Sequence, residues 1–309
     1  MEFVKAKTIM TKVKDGNEWY GVDYNMNLYR GCSHGCMYCD SRSDCYHIDN
    51  FDIVKCKENM LQILENELSK KRLKGVVGIG AMSDTYNPME IKYQQTRGAL
   101  QLISKYSFGV SIDTKSDLIL RDIDLLKEIN SKNNVIIKFT ITTPDDNLSK
   151  IIEPNVCVSS KRLETIKILN DNGIFTGIMM NPVLPFITDK EEDIKKLVKL
   201  ASRNGAKFIH TYMGMTLREN QRAYYFEKLD EKFPGLKEKY IKTYGDKYNC
   251  LTPNYKYLYK IFADECDKYG IIYKMEDIIK AYKKESINDE QISLWIGYNN
   301  LDKKDKDML

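Results

Sequence analysis

Tyr29-Arg30-Gly31-Cys32-Ser33-His34-Gly35-Cys36-Met37-Tyr38-Cys39-Asp40 is the stretch that decides how this chain is read. Its cysteines are spaced C-x3-C-x2-C, so one short loop offers three thiolates, one fewer than a cubane iron–sulfur cluster takes. A [4Fe–4S] cluster held by three cysteines keeps one iron open, and an open coordination position is where a small molecule binds and reacts. The 8 cysteines in 309 residues would match both offsets by chance in only about half a per cent of such chains, so the spacing is signal. A structural zinc site is the competing reading, because Cys3His sites exist and His34 lies inside the loop. Zinc ribbons and fingers carry a second ligand pair at a typical offset, and none follows here.

The remaining composition fits a cytoplasmic enzyme. Cys45, Cys56, Cys157, Cys250 and Cys266 form no paired framework, which excludes a disulfide-stapled secreted chain, and no second close-spaced group suggests an auxiliary cluster. The opening MEFVKAKTIM lacks the apolar core of a signal peptide, and apolar runs such as 76–82 are far too short to cross a bilayer. A net charge of +4 is mild and the lysines are spread through helical stretches. Charge alone therefore does not indicate a nucleic-acid surface, although a nucleic-acid partner stays open.

Short apolar or β-branched runs at 76–81, 108–114, 135–140, 175–180 and 207–210 read as buried strands. Amphipathic stretches separate them. Residues 56–71 place Met60, Leu61, Ile63, Leu64 and Leu68 largely on one face. The run 162–172 repeats the pattern through Leu163, Ile166 and Leu169 and stops at Gly173. Thr188 with Glu191 predicts a capping box ahead of Ile194, Leu197, Val198 and Ala201. Regular alternation of strand and helix means a parallel sheet with helices outside it. About six units, without the eighth, predict an α/β fold: a partial (β/α)6 TIM-type barrel over 1–214 with a helical C-terminal extension over 215–309.

Ligands gather at the C-terminal ends of such strands, where the cysteine loop also falls. Those ends carry Ser83, Asp84, Tyr86, Asn87 and Glu90, then Asp113, Thr114, Lys115 and Ser116. Thr140, Thr142 and Thr143, then Asn181, then His210, Thr211 and Tyr212 follow on the later strands. One strand-end hydroxyl is more often a helix cap than a ligand contact, but their joint occurrence above a cysteine loop points to a ligand. A zwitterionic amino-acid group needs acceptors for its ammonium and a cation for its carboxylate, which Ser83, Asp84 and Lys115 supply.

With these residues in place the chain resembles the radical S-adenosylmethionine (SAM) enzymes. Within them it is similar to the spore photoproduct lyase-related, DNA repair photolyase-like branch. The resemblance runs from about Tyr24 to Tyr212 and rests on YRGCSHGCMYCD, SDTYNPME (83–90), TRGAL (96–100), TKSDLILRDIDLL (114–126), Glu153-Pro154 and KRLETI (161–166). It implies that Cys32, Cys36 and Cys39 hold a [4Fe–4S] cluster whose open iron is chelated by SAM. Tyr38 matches the aromatic that packs near the adenine, Ser83 and Lys115 match residues that bind the methionine moiety, and Thr140 matches a strand-end hydroxyl with the same job. Asp84 joins them from its place beside Ser83. Arg162 is a candidate either for the SAM carboxylate or for a structural ion pair. The implied reaction is one-electron cleavage of SAM to a 5′-deoxyadenosyl radical, which takes a hydrogen atom from substrate. A low-potential flavodoxin or ferredoxin is the implied electron donor.

Two positions depart from the lyase. Its hydrogen-returning cysteine, two residues before the SAM-binding serine, is matched by Ala81, and the tyrosine after its third cluster cysteine by Asp40. Thymine-dimer repair is therefore not implied, and Cys45, Tyr46 and Cys250 become the candidate hydrogen donors, with an ordinary buried thiol as the alternative for both cysteines. In the extension, Tyr224, Tyr225, Tyr240, Tyr244, Tyr248, Tyr255, Tyr257 and Tyr259 raise the question of stacking on bases, but helical spacing favours packing against the barrel. The end, LDKKDKDML (301–309), reads as a frayed tail. Three functions stand: a radical SAM enzyme of unidentified substrate, a lyase-like nucleic-acid repair or modification enzyme, and a non-catalytic zinc or iron–sulfur module.

Overall fold

Hydrogen-bond pairing orders six short strands into one parallel sheet: β1 (Tyr24–Met26), β2 (Val76–Ile79), β3 (Gly109–Thr114), β4 (Val135–Thr140), β5 (Phe175–Met180) and β6 (Ile209–Thr211). They lie in chain order from β1 to β6, with Met10–Lys12 added antiparallel at the outer edge of β1. The computed structural model describes residues 2–14 and 19–283; the 301–309 tail lies outside them. Both faces of the central strands are covered: five of the six residues of β3 and all six of β4 are buried. Helices Met60–Lys70, Gln95–Lys105, Ile123–Lys132, Ser159–Asp171 and Glu191–Arg203 turn Leu64, Ile103, Ile129, Ile166 and Val198 onto the sheet. The expected partial barrel of six βα units is thus the observed fold.

Six strands leave open the gap that a closed eight-stranded barrel would fill. Tyr20, fully buried ahead of β1, and the helix Met275–Tyr282 occupy it. The Tyr20 amide donates to Met275 Sδ at 3.1 Å, the Tyr282 hydroxyl donates to the Tyr20 carbonyl at 2.5 Å, and the Tyr20 ring lies 5.6 Å from that of His210.

Several local expectations shift. The helix expected from residue 56 starts at Met60, since Lys55–Lys57 is a strand whose Cys56 opposes Tyr29 just before the cysteine loop. Asn59, at φ 51°, makes the break between the two. The capping box does not form: Thr188 Oγ1 accepts from the Leu184 amide at 2.8 Å within its own turn, and the helix begins after Lys190. The last strand runs over Ile209–Thr211 rather than 207–210.

Beyond β6, Gly214–Thr216 pairs antiparallel with Asn249–Leu251, so the expected division at 214/215 falls inside a strand. Tyr225, Tyr240 and Tyr244 are packing residues, with the Tyr225 and Tyr240 rings edge to face at 5.4 Å and their hydroxyls 2.9 Å apart. Tyr248, Tyr255, Tyr257 and Tyr259 are exposed instead. Among the described residues no helix is long and apolar enough to cross a membrane.

Candidate active site

The cysteine loop leaves strand Tyr29–Arg30 through Gly31 at φ +78°, where a Cβ would meet the Phe51 and Ile53 carbonyls at 2.7 and 2.6 Å. Only glycine fits that turn. The Cys32 amide then donates to the Phe51 carbonyl at 2.7 Å, and the Met37 amide to the Ile152 carbonyl at 3.0 Å. Pinned on both flanks, the loop turns Cys32, Cys36 and Cys39 into one cavity of about 800 Å³ at the C-terminal ends of the strands. All three are free thiols. Burial pushes their pKa values up, that of Cys32 to about 11, while Lys115 pulls Cys36 and Cys39 back down in part. Among the described residues no three His, Cys, Asp or Glu side chains meet as ligands of a single ion would. Cys32, Cys36 and Cys39 line one cavity wall, and three thiols are a donor set that suits an iron–sulfur group.

Beside Cys32 on the same wall stands Asp84, which is buried and whose amide meets the Cys32 thiol. Its Oδ1 accepts from Thr114 Oγ1 and from the Tyr86 amide, each at 2.8 Å, and its Oδ2 accepts from the Lys115 amide at 2.7 Å. The same Oδ2 lies 3.7 Å from His34 Nδ1 in the cysteine loop. Ser83 donates its hydroxyl proton to the Gly31 carbonyl, which ties the end of β2 to that loop. Lys115 is half-buried with its Nζ 5.7 Å from the Tyr38 ring centre. Burial alone would lower its pKa, but Cys36, Glu153 and Asp84 raise it on balance and hold it charged. Tyr38, Ser83, Asp84, Lys115 and Thr140 all line the cavity with the three cysteines. Arg162 does not. It is fully buried behind the wall, where Nη1 meets Glu153 Oε2 at 2.5 Å.

The opposite end of the cavity is formed by β5, β6 and the extension: Asn181, His210, Tyr212, Tyr248 and Asn249, with Trp19 beside them. His210 Nδ1 is shut off from solvent and has no hydrogen-bond partner among the described residues. Burial and the nearby Lys138 lower the His210 pKa, so the ring is neutral at pH 7. Lys138 itself is committed to Asp113 Oδ1 at 3.0 Å and Ser111 Oγ at 2.7 Å.

At the mouth, Asp40 and Tyr46 reach the cavity, and the Tyr46 hydroxyl donates to Asp40 Oδ2 at 3.0 Å. Arg218 spans this rim, donating to Asp40 Oδ1 at 3.2 Å, to the Tyr248 hydroxyl at 2.9 Å and to Cys45 Sγ at 3.5 Å. Cys45 is exposed and does not line the cavity. Cys250 is fully buried in the extension, its thiol aimed at the Lys247 carbonyl at 3.7 Å, and does not line the cavity either. Of the three candidate hydrogen donors only Tyr46 faces it. Sequence reasoning missed Trp19, Thr216, Arg218 and Asn249, none of which sits in a motif or at the end of an expected strand.

A parallel barrel whose strand ends set three thiols, a carboxylate and an ammonium around one cavity is the architecture of a cofactor-dependent enzyme. The sequence profile of the Radical SAM superfamily matches residues 26–201, more than half of the chain, and the chain belongs to that superfamily. An uncharacterized protein of Methanocaldococcus jannaschii is 36% identical over 174 residues, 55% of this chain and 64% of that one. An uncharacterized protein of Mycobacterium tuberculosis is 29% identical over 228 residues, 72% of this chain and 67% of that one. The matched segment thus spans about two thirds of the length of these relatives. Spore photoproduct lyase, in its complex with a dinucleoside spore photoproduct, superposes with a TM-score of 0.66 over 88% of this chain and 81% of the lyase. At 14% identity, that similarity is one of fold.

Proposed function

We propose that this enzyme holds a [4Fe–4S] cluster on Cys32, Cys36 and Cys39 and binds SAM beside it. The observation that carries this is the joint placement of three free thiols, Asp84 and the Lys115 ammonium on one cavity wall. Bound there, the pair supplies one-electron cleavage of SAM and a 5′-deoxyadenosyl radical that takes a hydrogen atom from substrate. The chain's own residues bind and orient. Asp84 offers a carboxylate already positioned by three donors to an incoming ammonium, and Lys115 offers a held positive charge to a carboxylate. Thr140 and Tyr38 line the same end, one with a hydroxyl and one with a ring. Substrate takes the His210 end, under the aromatic rim of Trp19, Tyr212 and Tyr248. A flavodoxin- or ferredoxin-type protein supplies the electron.

Tyr46 is the hydrogen donor this geometry favours, because it lines the cavity and its hydroxyl stays protonated. Burial and the adjacent Asp40 raise its pKa to about 12. A tyrosine donor separates two steps: Tyr46→Phe should leave SAM cleavage within about three-fold of wild type while product from substrate falls at least about ten-fold. Equal loss of both would remove Tyr46 from the role.

The deciding experiment is anaerobic. Protein reconstituted with iron and sulfide is given SAM and dithionite, and 5′-deoxyadenosine is assayed beside Cys36→Ala. Product that depends on Cys36 supports the reading. Zinc in place of iron, or product unaffected by the substitution, sinks it.

A second reading, modification of a nucleic acid, is favoured by one observation: Trp19 and Tyr248 are both about half exposed while lining the cavity, as stacking platforms would be. Ala81 lines the same cavity at the position that carries the returning cysteine in the lyase, so this reading does not extend to the lyase reaction. A gel-shift titration against salt with single-stranded DNA and RNA tests it, and no shift at low salt would remove it.

A further inference from the structure

Behind the cysteine side of the cavity, one buried guanidinium touches three separate parts of the site. The Tyr38 hydroxyl, between Cys36 and Cys39, donates to Glu153 Oε1. Glu153 Oε2 accepts from Arg162 Nη1 at 2.5 Å, and the same Nη1 donates to the Thr140 carbonyl at 2.8 Å. Arg162 Nε donates to the Cys157 carbonyl at 2.7 Å, and the Cys157 thiol reaches the Lys115 carbonyl at 3.0 Å. The chain of contacts therefore runs from the cysteine loop to the end of β4 and on to the residue after β3. The segment that carries Glu153 holds the loop by its backbone as well. The Ile152 carbonyl takes the Met37 amide, the Asn155 amide donates to the His34 carbonyl at 3.2 Å, and Asn155 Nδ2 donates to the Ser33 carbonyl at 2.9 Å.

This arrangement is a poor choice for stability alone. Glu153 and Arg162 are both essentially inaccessible to solvent, and Arg162 Nη2 has no hydrogen-bond partner among the described residues. Desolvating two ions costs several kcal/mol each in general, and an apolar pair of the same volume often matches or exceeds the stability of a buried ion pair. What charge adds and an apolar pair lacks is direction. A carboxylate with one oxygen on Tyr38 and the other on a planar guanidinium fixes the loop against β4 in distance and angle.

We infer that Glu153 and Arg162 are positioning residues that set the Cys36–Cys39 turn, through the Tyr38 hydroxyl, relative to Thr140 and Lys115. Arg162 acts through Glu153 and the Thr140 carbonyl rather than by touching a cofactor. The inference rests on the cofactor assignment above, and it concerns where the thiols stand relative to the SAM-binding residues.

The test uses full-length protein reconstituted anaerobically, with three readouts: iron and sulfide content, melting of the apoprotein, and the change that SAM produces in the electron paramagnetic resonance signal of the reduced cluster. Tyr38→Phe keeps the ring and removes only the hydroxyl contact. It should fold and load iron like wild type, with an apoprotein that melts a few degrees lower because buried Glu153 Oε1 loses its donor. The SAM concentration that half-saturates the signal change should rise about ten-fold, because SAM binding must then restore the loop position that the hydrogen bond held, at a cost of up to about that bond's worth. Glu153→Gln should raise it at least as far, and the double variant should be no worse than Glu153→Gln alone, because both substitutions break one path. Half-saturation within two-fold of wild type in Tyr38→Phe would overturn the inference, as would additive losses in the double variant. Should Glu153→Gln fail to fold, Tyr38→Phe still decides. Wild-type protein that loads no cluster, or whose signal ignores SAM, overturns the cofactor assignment itself, and that outcome is read before any variant is compared.

Discussion

Replacing Asp84 by asparagine separates its two jobs, organising the strand ends and receiving an ammonium. The carboxylate accepts three donors: Thr114 Oγ1 and the Tyr86 amide at Oδ1, and the Lys115 amide at Oδ2. Asparagine can place its carbonyl at the Oδ1 position and keep two of them. Its NH2 group then faces the Lys115 amide, donor against donor, in a buried site. One buried unsatisfied pair costs about 1–3 kcal/mol, and in a domain of this size each kcal/mol lowers the melting temperature by roughly 2–4 °C. Asp84→Asn apoprotein should therefore melt roughly 2–12 °C lower than wild type. SAM affinity should fall further, by about ten- to a hundred-fold, since a charge-assisted contact of about 1.5–3 kcal/mol is lost. Differential scanning fluorimetry on apoprotein reads the first effect, and a SAM titration of the reduced cluster's magnetic resonance signal reads the second. A lowered melting temperature with SAM half-saturation within two-fold of wild type would refute the ammonium role and leave Asp84 as a structural hub. No change in either would refute the hydrogen-bond argument as well.

Two further outcomes follow from the same structure. Gly80 has φ +99°, and a Cβ there would lie 2.1 Å from the Asp113 carbonyl oxygen, so Gly80→Ala should destabilise the apoprotein by about 3 kcal/mol or more; melting within 2 °C of wild type would contradict this close approach of β2 to β3. His210 has its pKa lowered by burial and by Lys138. Below about pH 6.5 the unfolded state binds more protons than the folded one, so stability is lost as pH falls from about 6.5 toward the lower folded value. His210→Phe should flatten part of the pH dependence of apoprotein melting below about pH 6.5, while an unchanged slope would mean that the folded ring titrates freely.

Some of this protein is written in contiguous residues. The spacing of Cys32, Cys36 and Cys39 is a local property, and one loop presents all three thiols whatever the rest of the chain does. The alternation of short β-branched runs with amphipathic stretches is local too, and it was enough for a six-strand parallel barrel and for placing Ser83, Asp84, Lys115 and Thr140 at strand ends. Local signals also misled. Cys56 sits in an apolar periodic stretch yet pairs in a strand, and Thr188 looks like a cap yet spends its hydroxyl on Leu184. The three-residue strand Tyr24–Met26 is too short to show a period at all.

Only the tertiary structure decided which side chains share the cavity. Tyr46 lines it, while its neighbour Cys45 is exposed beside Arg218 at the rim and Cys250 is sealed in the extension. Tyr38 and Glu153 meet across 115 positions, and Tyr20 and Met275 close the barrel across 255. Arg218 joins Asp40 across 178. Periodicity and capping report on neighbours within a turn or two of the backbone, whereas contacts this distant depend on the path of every element between them. The sequence therefore determined the kind of chemistry and the architecture that carries it, and the folded chain decided how the thiols are aimed and what stands opposite them.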